Sequence, residues 1–425
     1  LKPFWRKPFR PRACLGSACS CTTTSTSTST TVTLVPTRVH ARAPALVSSM
    51  AMKRPAAAAP AAKRRRQRPA PSGSPGLCVA GEALIDFLPR ETKDGESCYL
   101  PKAGGSPFNV CIAARRLGLP VHFFGGLSTD MFGQDLHNQL GRESVDLSLV
   151  HRVARPTTLA FVSKTVGNAD VKYAFFKENA ADRSLTSKDS RKAMEGQSFG
   201  AVHMSLGAVT FEDKQMAQAF SELFSIAQSK GAFTSFDPNI RCTMIERGAH
   251  EYRKKVEEFM GLVDLAKASD ADIEFLYGEG TDLSIIAEKW LKLGARLVVI
   301  TRGAQGAVAY YRPAPETLAS CAASPPTQQP NTIDARGRCA PVADTVGAGD
   351  TCTGGLLFGL LGGAGALSLA PQLAGGAAWD NAATGRLQEI LRLAVAAAAI
   401  NVSRQGCDPP THEEVKGALA ALASA

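Results

Sequence analysis

From residue 201 onward the chain alternates between short apolar runs and longer amphipathic stretches, and that alternation limits the folds open to it. Ala201 to Met204, Thr234 to Phe236, Leu265 to Ala268 and Leu297 to Ile300 read as buried strands. Between them Phe211 to Lys230, His250 to Met260 and Ile285 to Leu293 carry helical spacing, and a further strand covers Ala307 to Tyr311. Strand, helix and strand in regular succession predict an α/β fold with a mostly parallel sheet and helices on both faces. Upstream, Leu77 to Phe87 reads as a short apolar strand running to acidic ends, Val110 to Leu117 and Asp130 to Leu140 as helices, and Val121 to Gly126 as a strand. The alternating pieces at 96 to 103 and 157 to 177 do not fit the parallel scheme; they predict a small separate β-sheet, a lid. Arg312 to Pro341 and Ala364 to Arg386 read as surface loops, and Leu387 to Ser403 as a strongly apolar helix.

The residues before Glu82 have a different composition. They contain 14 of the 48 Lys and Arg and no Asp or Glu, which leaves 34 basic against 38 acidic residues for the rest. The basic balance therefore belongs to the tail, and the folded part, at −4, gives no argument for nucleic-acid binding. Residues 1 to 76, Ser/Thr-rich and then Ala/Pro/Arg-rich, cannot bury a core and are expected to be disordered. They suit a transit peptide to a plastid, a two-part nuclear signal at Lys53-Arg54 and Lys63 to Arg66, or a plain solvated tail of a cytoplasmic protein. Met50 and Met52 would serve as alternative starts. The longest apolar run, Gly354 to Ala370, is too short and too Gly-rich for a membrane span. The eleven Cys have no CxxC pair, and the seven His no HxxxH or HExxH spacing. They predict reduced thiols and no metal held by protein ligands alone.

One stretch carries chemistry. Asp344-Thr345-Val346-Gly347-Ala348-Gly349-Asp350 runs straight into the apolar segment Cys352 to Leu361, a turn opening a buried helix. Gly347, Ala348 and Gly349 are small enough for a ligand to approach the backbone. The first N–H groups of a helix have no partner within it and carry the positive end of its dipole, which makes an anion hole suited to a phosphoryl group. A carboxylate at its rim, Asp350, can take the proton of an attacking hydroxyl. Taken alone, the heptapeptide reads equally well as an ordinary Gly-rich turn. The wider pattern tips the balance. In open parallel sheets, ligands sit beyond the carboxyl ends of the strands, and polar residues gather at such ends: Asp86, Gly104-Gly105 with Asn109, Asp237 to Arg241, Asp272 with Glu274, Thr301-Arg302-Gly303, and Asp344 to Asp350. Singly, Asp237 reads as a turn residue and Arg241 as the partner of an acidic neighbour. Neither GxxxxGK[ST] nor the protein-kinase signatures occur, so a nucleotide would be held without a P-loop lysine.

From about Leu77 to its end the chain resembles the ribokinase, or PfkB, family of small-molecule kinases. Gly104-Gly105-Ser106-Pro107-Phe108-Asn109-Val110 matches the first family signature and Asp344 to Asp350 the second. Within the family GEALIDFLP, GGSPFNV, FKENAADRSL and SFDPNIR look like fructokinase. The resemblance implies a ribokinase-like fold with a lid and an ATP- and magnesium-dependent transfer to a primary hydroxyl of fructose. Another sugar or nucleoside, or a non-catalytic scaffold, are the alternatives. It implies that Asp350 is the base, that Gly347, Ala348 and Gly349 line the anion hole, and that Asp86, Gly104, Gly105, Asn109 and the lid-borne Arg183 contact the sugar. Thr301, Arg302, Gly303 and Gly306 fall where the family binds nucleotide, and Asp344 with the Val346 carbonyl where some members hold a monovalent cation such as K+. The family's Asn-x-x-Glu is replaced by Ser269-Asp270-Ala271-Asp272, with Asp272 expected to order magnesium-bound water. A homodimer through the lid strands and no membrane partner complete the expectation.

Overall fold

The computed structural model describes residues 76–163, 173–207, 209–311, 331–337, 341–363, 368–373 and 380–423. The expected disordered extension, 1 to 76, lies outside the described residues save for its last. The chain begins with β1 (Leu77–Ala80), β2 (Leu84–Glu91), β3 (Ser97–Gly104), α1 (Ser106–Arg116), β4 (Val121–Phe124), β5 (Gly126–Ser128) and α2 (Met131–Arg142). There follow β6 (His151–Val153), β7 (Leu159–Val162), β8 (Tyr173–Phe176), α3 (Ser187–Met194), β9 (Ala201–Ser205), α4 (Lys214–Ser229), β10 (Phe233–Asp237) and α5 (Gly248–Phe259). The second half holds β11 (Leu265–Ser269), α6 (Asp270–Tyr277), α7 (Leu283–Leu293), β12 (Leu297–Thr301), β13 (Ala307–Tyr311) and β14 (Asn331–Ala335). It ends with α8 (Ala348–Leu360), α9 (Ala370–Leu373), α10 (Asn381–Val402) and α11 (His412–Ala423).

The central sheet has the order β14-β13-β12-β11-β10-β9-β1-β4. All neighbours from β12 to β4 run parallel, and β13 and β14 close one edge antiparallel. Because strand side chains alternate between faces, a strand covered on both sides reads as a continuous apolar run. In β1, Leu77 and Val79 join the core beneath α1, α8 and α10, while Cys78 and Ala80 join the core beneath α4, α5 and α7. In β12, Leu297 and Val299 face the first core and Val298 and Ile300 the second. Helix α8 packs closely on α1 and α10 because it is glycine-rich. A Cβ on Gly354 would come within 2.7 Å of Ala113 Cβ, and one on Gly355 within 2.8 Å of Ala394 Cα. That approach fixes where the start of α8 stands relative to α1.

A separate four-stranded sheet has the order β3-β2-β7-β8, as the early strands predicted. The apolar strand read over Leu77 to Phe87 is two strands in two sheets. The chain leaves the central sheet at Gly81, whose φ of 144° puts it in a region that favours glycine. Three further expectations need correction. The loop read over Arg312 to Pro341 contains β14, which pairs with β13 and buries Ile333 and Ala335; residues 312–330 and 338–340 lie outside the described residues. The loop read over Ala364 to Arg386 contains α9 and the first turn of α10, where Asp380 caps the helix by accepting Ala383 N–H at 2.6 Å. Helices α3, α6 and α11 were not read from the sequence at all. Among the described residues no helix is long and apolar enough to cross a membrane.

Candidate active site

The first turn of α8 sits beyond the carboxyl ends of the parallel strands. Gly347 is its N-cap, left-handed at φ 76°, and a Cβ there would collide with Cys407 of the α10–α11 connection. Glycine is therefore required both by backbone conformation and by space. Ala348, Gly349 and Asp350 form the first turn, so their N–H groups point out of the helix. Asp350 accepts Ser106 Oγ–H on Oδ1 at 2.6 Å and Asn109 Nδ2–H on Oδ2 at 2.8 Å. The two sequence signatures, some 240 residues apart, thus meet at one carboxylate. Burial raises its pKa; the Ser106 and Asn109 hydrogen bonds and the Lys267 ammonium oppose this without cancelling it, and Asp237 adds to the rise. A carboxylate poised above its ordinary range is a better base for an alcohol proton near neutral pH.

Gly104 and Gly105 form the corner between β3 and α1. Gly105 has φ 100°, with a would-be Cβ 2.9 Å from Glu82 O, and Gly104 lies directly against the Asp86 carboxylate. Asp86, in β2, is pushed up to about 6 by burial; Arg241 opposes the rise and Asp350 adds to it. Asp86 therefore lies within electrostatic reach of both the base and the turn after β10. Tyr173 of β8 feels the charges of the same Arg241 and Asp86, so β8 of the small sheet lies near these groups. Arg183, expected at the sugar, also reaches α4: its Nε lies 3.4 Å from Asp213 Oδ2, the N-cap carboxylate of that helix. A partly buried guanidinium finds a carboxylate at a helix start a ready partner.

Beneath the turn lies a residue that sequence reasoning passed over. Lys267, in β11, is 4% exposed and donates to Asp237 Oδ2 at 2.7 Å. Its Nζ stands 3.2 Å from where a Gly349 Cβ would be, so a buried cation lies behind the first turn of α8. The sequence signal was present, a lone Lys inside the apolar run LAKAS. Asp272 is buried in a capping box: Oδ2 accepts Ser269 N–H and Oγ–H at 2.8 and 2.7 Å, and Oδ1 accepts Ile240 N–H at 2.8 Å. Burial first, and Asp237 second, hold its pKa up. Its visible work is to start α6 and to tie it to the turn after β10, and Ser269-x-x-Asp272 is a helix-start signature.

At the other end Thr301 closes β12, and Arg302 pairs with Asp334 of β14 at 2.7 Å. Gly303 and Gly306 are both left-handed, at φ 51° and 88°, and Gly306 is pressed against the carbonyl of Ala335. The insertion thus supplies a wall to the turn expected to hold nucleotide. At the expected monovalent site, Asp344 accepts Val346 N–H and Gly406 N–H at 3.0 Å each, and Val346 O accepts Asn401 Nδ2–H at 2.8 Å. Each candidate oxygen already meets a donor, so a cation there would compete with the Asn401 amide, and no step is assigned to it. Among the described residues no three His, Cys, Asp or Glu side chains are grouped to hold a metal.

A family model described as pfkB family carbohydrate kinase matches residues 74–414. The chain is similar to a fructokinase of Rhizobium leguminosarum bv. trifolii, 36% identical over 284 residues that cover 67% of this chain and 79% of that one. It is 29% identical to fructokinase-2 of Solanum lycopersicum over 353 residues, covering 81% and 96%. Among solved structures, the fold is similar to that of fructokinase with bound ATP from Xylella fastidiosa, with TM-score 0.68 at 24% identity over 82% of this chain and 99% of that one. It is also similar to a double mutant of Vibrio cholerae O395 fructokinase bound to fructose, ADP and potassium ion, with TM-score 0.63 at 22% identity over 82% and 99%.

Proposed function

This chain belongs to the pfkB family of carbohydrate kinases, and we propose that it is an ATP-dependent fructokinase. The observation that carries the reading is the meeting of Asp350, at the open N-terminal turn of α8, with Ser106 and Asn109 from the start of α1. The fructokinases it resembles support fructose as the acceptor, and the solved fructokinase with bound ATP supports ATP as the donor. In this reading Asp86 and Asn109 hold sugar hydroxyls, with Gly104 and Gly105 letting the backbone close in. The four-stranded sheet acts as the lid that excludes water. Thr301 to Gly306 seats the nucleotide.

The acceptor hydroxyl attacks the γ-phosphorus, forming an O–P bond as the bond to the β-phosphate oxygen breaks. Its proton goes to Asp350, and ADP leaves with the electron pair. The Gly347 to Asp350 amides, backed by Lys267, stabilise charge on the transferring oxygens. Magnesium, when bound with the triphosphate, would neutralise phosphate charge; Asp272, whose oxygens already accept Ser269 and Ile240 N–H, would meet it only through water.

The test is a panel of sugars, sugar acids and nucleosides with coupled ADP detection, beside Asp350→Asn. Fructose should give the highest kcat/KM. Asp350→Asn should bind fructose with similar affinity and lose roughly 10²- to 10⁴-fold in kcat. An active Asp350→Asn removes the assigned base, and preference for another alcohol removes the assigned substrate.

A further inference from the structure

The side chains behind Asp350 form a chain of hydrogen bonds whose direction is set at its far end. Arg241 can only donate, and its Nη1 donates to Asn239 Oδ1 at 2.6 Å. That settles which end of the Asn239 amide faces inward: Nδ2 donates to Ser205 Oγ at 3.3 Å. Ser205 Oγ then spends its own proton on Ser106 Oγ at 2.8 Å, and Ser106 Oγ donates to Asp350 Oδ1 at 2.6 Å. The members come from three places far apart in the chain: the start of α1, the end of β9, and the turn after β10. Ser205 is fully buried and Ser106 5% exposed, so water does not compete for either hydroxyl. Ser106 is also held by its backbone, which donates to Glu82 Oε1 at 3.3 Å. Asn239 sits at φ 40°, a left-handed conformation that asparagine tolerates better than most residues.

We propose that Ser106 and Ser205 are positioning residues for the phosphoryl transfer. Oriented from Arg241, the two hydroxyls aim one fixed proton at Asp350 Oδ1. With Asn109 on Oδ2 they lock the rotamer of the base. This leaves a free lone pair on each oxygen for the incoming sugar hydroxyl. The chain carries no proton away, because the Asn239 amide cannot pass one on. Its effect is electrostatic and geometric, and donors aligned head to tail polarise one another. The inference rests on the reading of Asp350 as the base of a sugar kinase.

The experiment uses the full chain with Ser106→Ala and Ser205→Ala, followed through kcat, KM for fructose and the pH profile of each. Losing a hydrogen bond to a charged group should lower kcat on the order of tenfold in Ser106→Ala. Ser205→Ala should lose less, since Ser106 keeps its contact but not its orientation. KM should change little in both. The acidic limb should move to higher pH in both, because a donor to the ionised carboxylate holds its pKa down. The other groups that bear on Asp350, namely Lys267, Asp237, Asp86 and Cys407, remain in every variant. Profiles that superimpose on the wild type, or a raised KM at unchanged kcat, would overturn the proposal.

A second measurement needs no turnover. Titration of the Asp350 carboxyl by ¹³C NMR, assigned with Asp350→Asn, should shift upward in both serine variants. An unshifted resonance would overturn the proposal too. Failure of the function reading looks different: the wild type is then idle on fructose, while the carboxyl titration still responds to Ser106.

Discussion

Replacing Lys267 by methionine removes the cation from a pair that water scarcely reaches. The side chains of Lys267 and Asp237 are 5% and 3% exposed, with Nζ 2.7 Å from Oδ2. Burial alone would drive the lysine toward its neutral form, but Asp237 holds its pKa above the ordinary range. In Lys267→Met the aspartate keeps the hydrogen bond from Asn239 N–H at 3.0 Å and loses its ion pair with the ammonium. Breaking one side of a buried pair costs about 3–5 kcal/mol, because the stranded charge loses both water and partner. The unfolding entropy of a domain of ~340 residues is about 0.7 kcal/mol/K, from ~2.1 cal/mol/K per residue. The melting temperature should therefore fall by about 4–7 °C by calorimetry. The double variant Lys267→Met/Asp237→Asn removes both charges and should recover most of that loss, since an apolar replacement for a complete buried pair is often neutral. Turnover should remain depressed in the double variant, because the cation behind the Gly349 turn is still missing. A single variant that melts with the wild type, or a double variant less stable than the single, would refute this account of the pair.

Two further outcomes follow from the same geometry. Asp86, held at about 6 by burial, loses its charge as pH falls through that value, so KM for fructose should rise below about pH 6 in the wild type, whereas Asp86→Asn should show a higher and flatter KM. Because the folded state binds this proton more tightly than the unfolded chain, whose carboxylate lies near ~4, stability falls as pH rises from about 4 to about 6; Asp86→Asn should accordingly melt higher than the wild type at pH 7, and an equal or lower melting temperature would count against the raised pKa. Gly347→Ala forces a Cβ onto Cys407 at φ 76°, costing roughly 1–2 kcal/mol for the backbone conformation alone; it should abolish turnover and lower the melting temperature, and a variant with normal kinetics would show that the turn does not touch the transferring group.

What could be read from the sequence alone were features that depend on neighbours a few residues away. Short continuous apolar runs identified the buried strands, because a strand covered on both faces has no polar side to display. The small residues at 347 to 349 before an apolar helix marked the start of α8, where the first backbone N–H groups have no partner within the helix. The polar strand ends marked one edge of the sheet, and the fold places Asp350 against Asn109 there. What only the tertiary structure decided were pairings between distant segments. Nothing within Leu77 to Phe87 says that the strand changes sheets at Gly81, where Pro107 and the Ser205 carbonyl leave no room for a Cβ. Nothing near Arg183 says that it will choose Asp213, and nothing near residue 331 says that a strand will form inside a Pro-rich insertion, since an edge strand is made by the free edge of β13. Lys267 reads as a misplaced charge until the fold sets Asp237 beside it. Ser106, Ser205 and Asn239 read as ordinary polar residues until packing brings them within hydrogen-bonding distance. Local geometry follows from the order of residues along the chain, whereas the energy of a buried charge or hydroxyl depends on which partners the fold delivers to it.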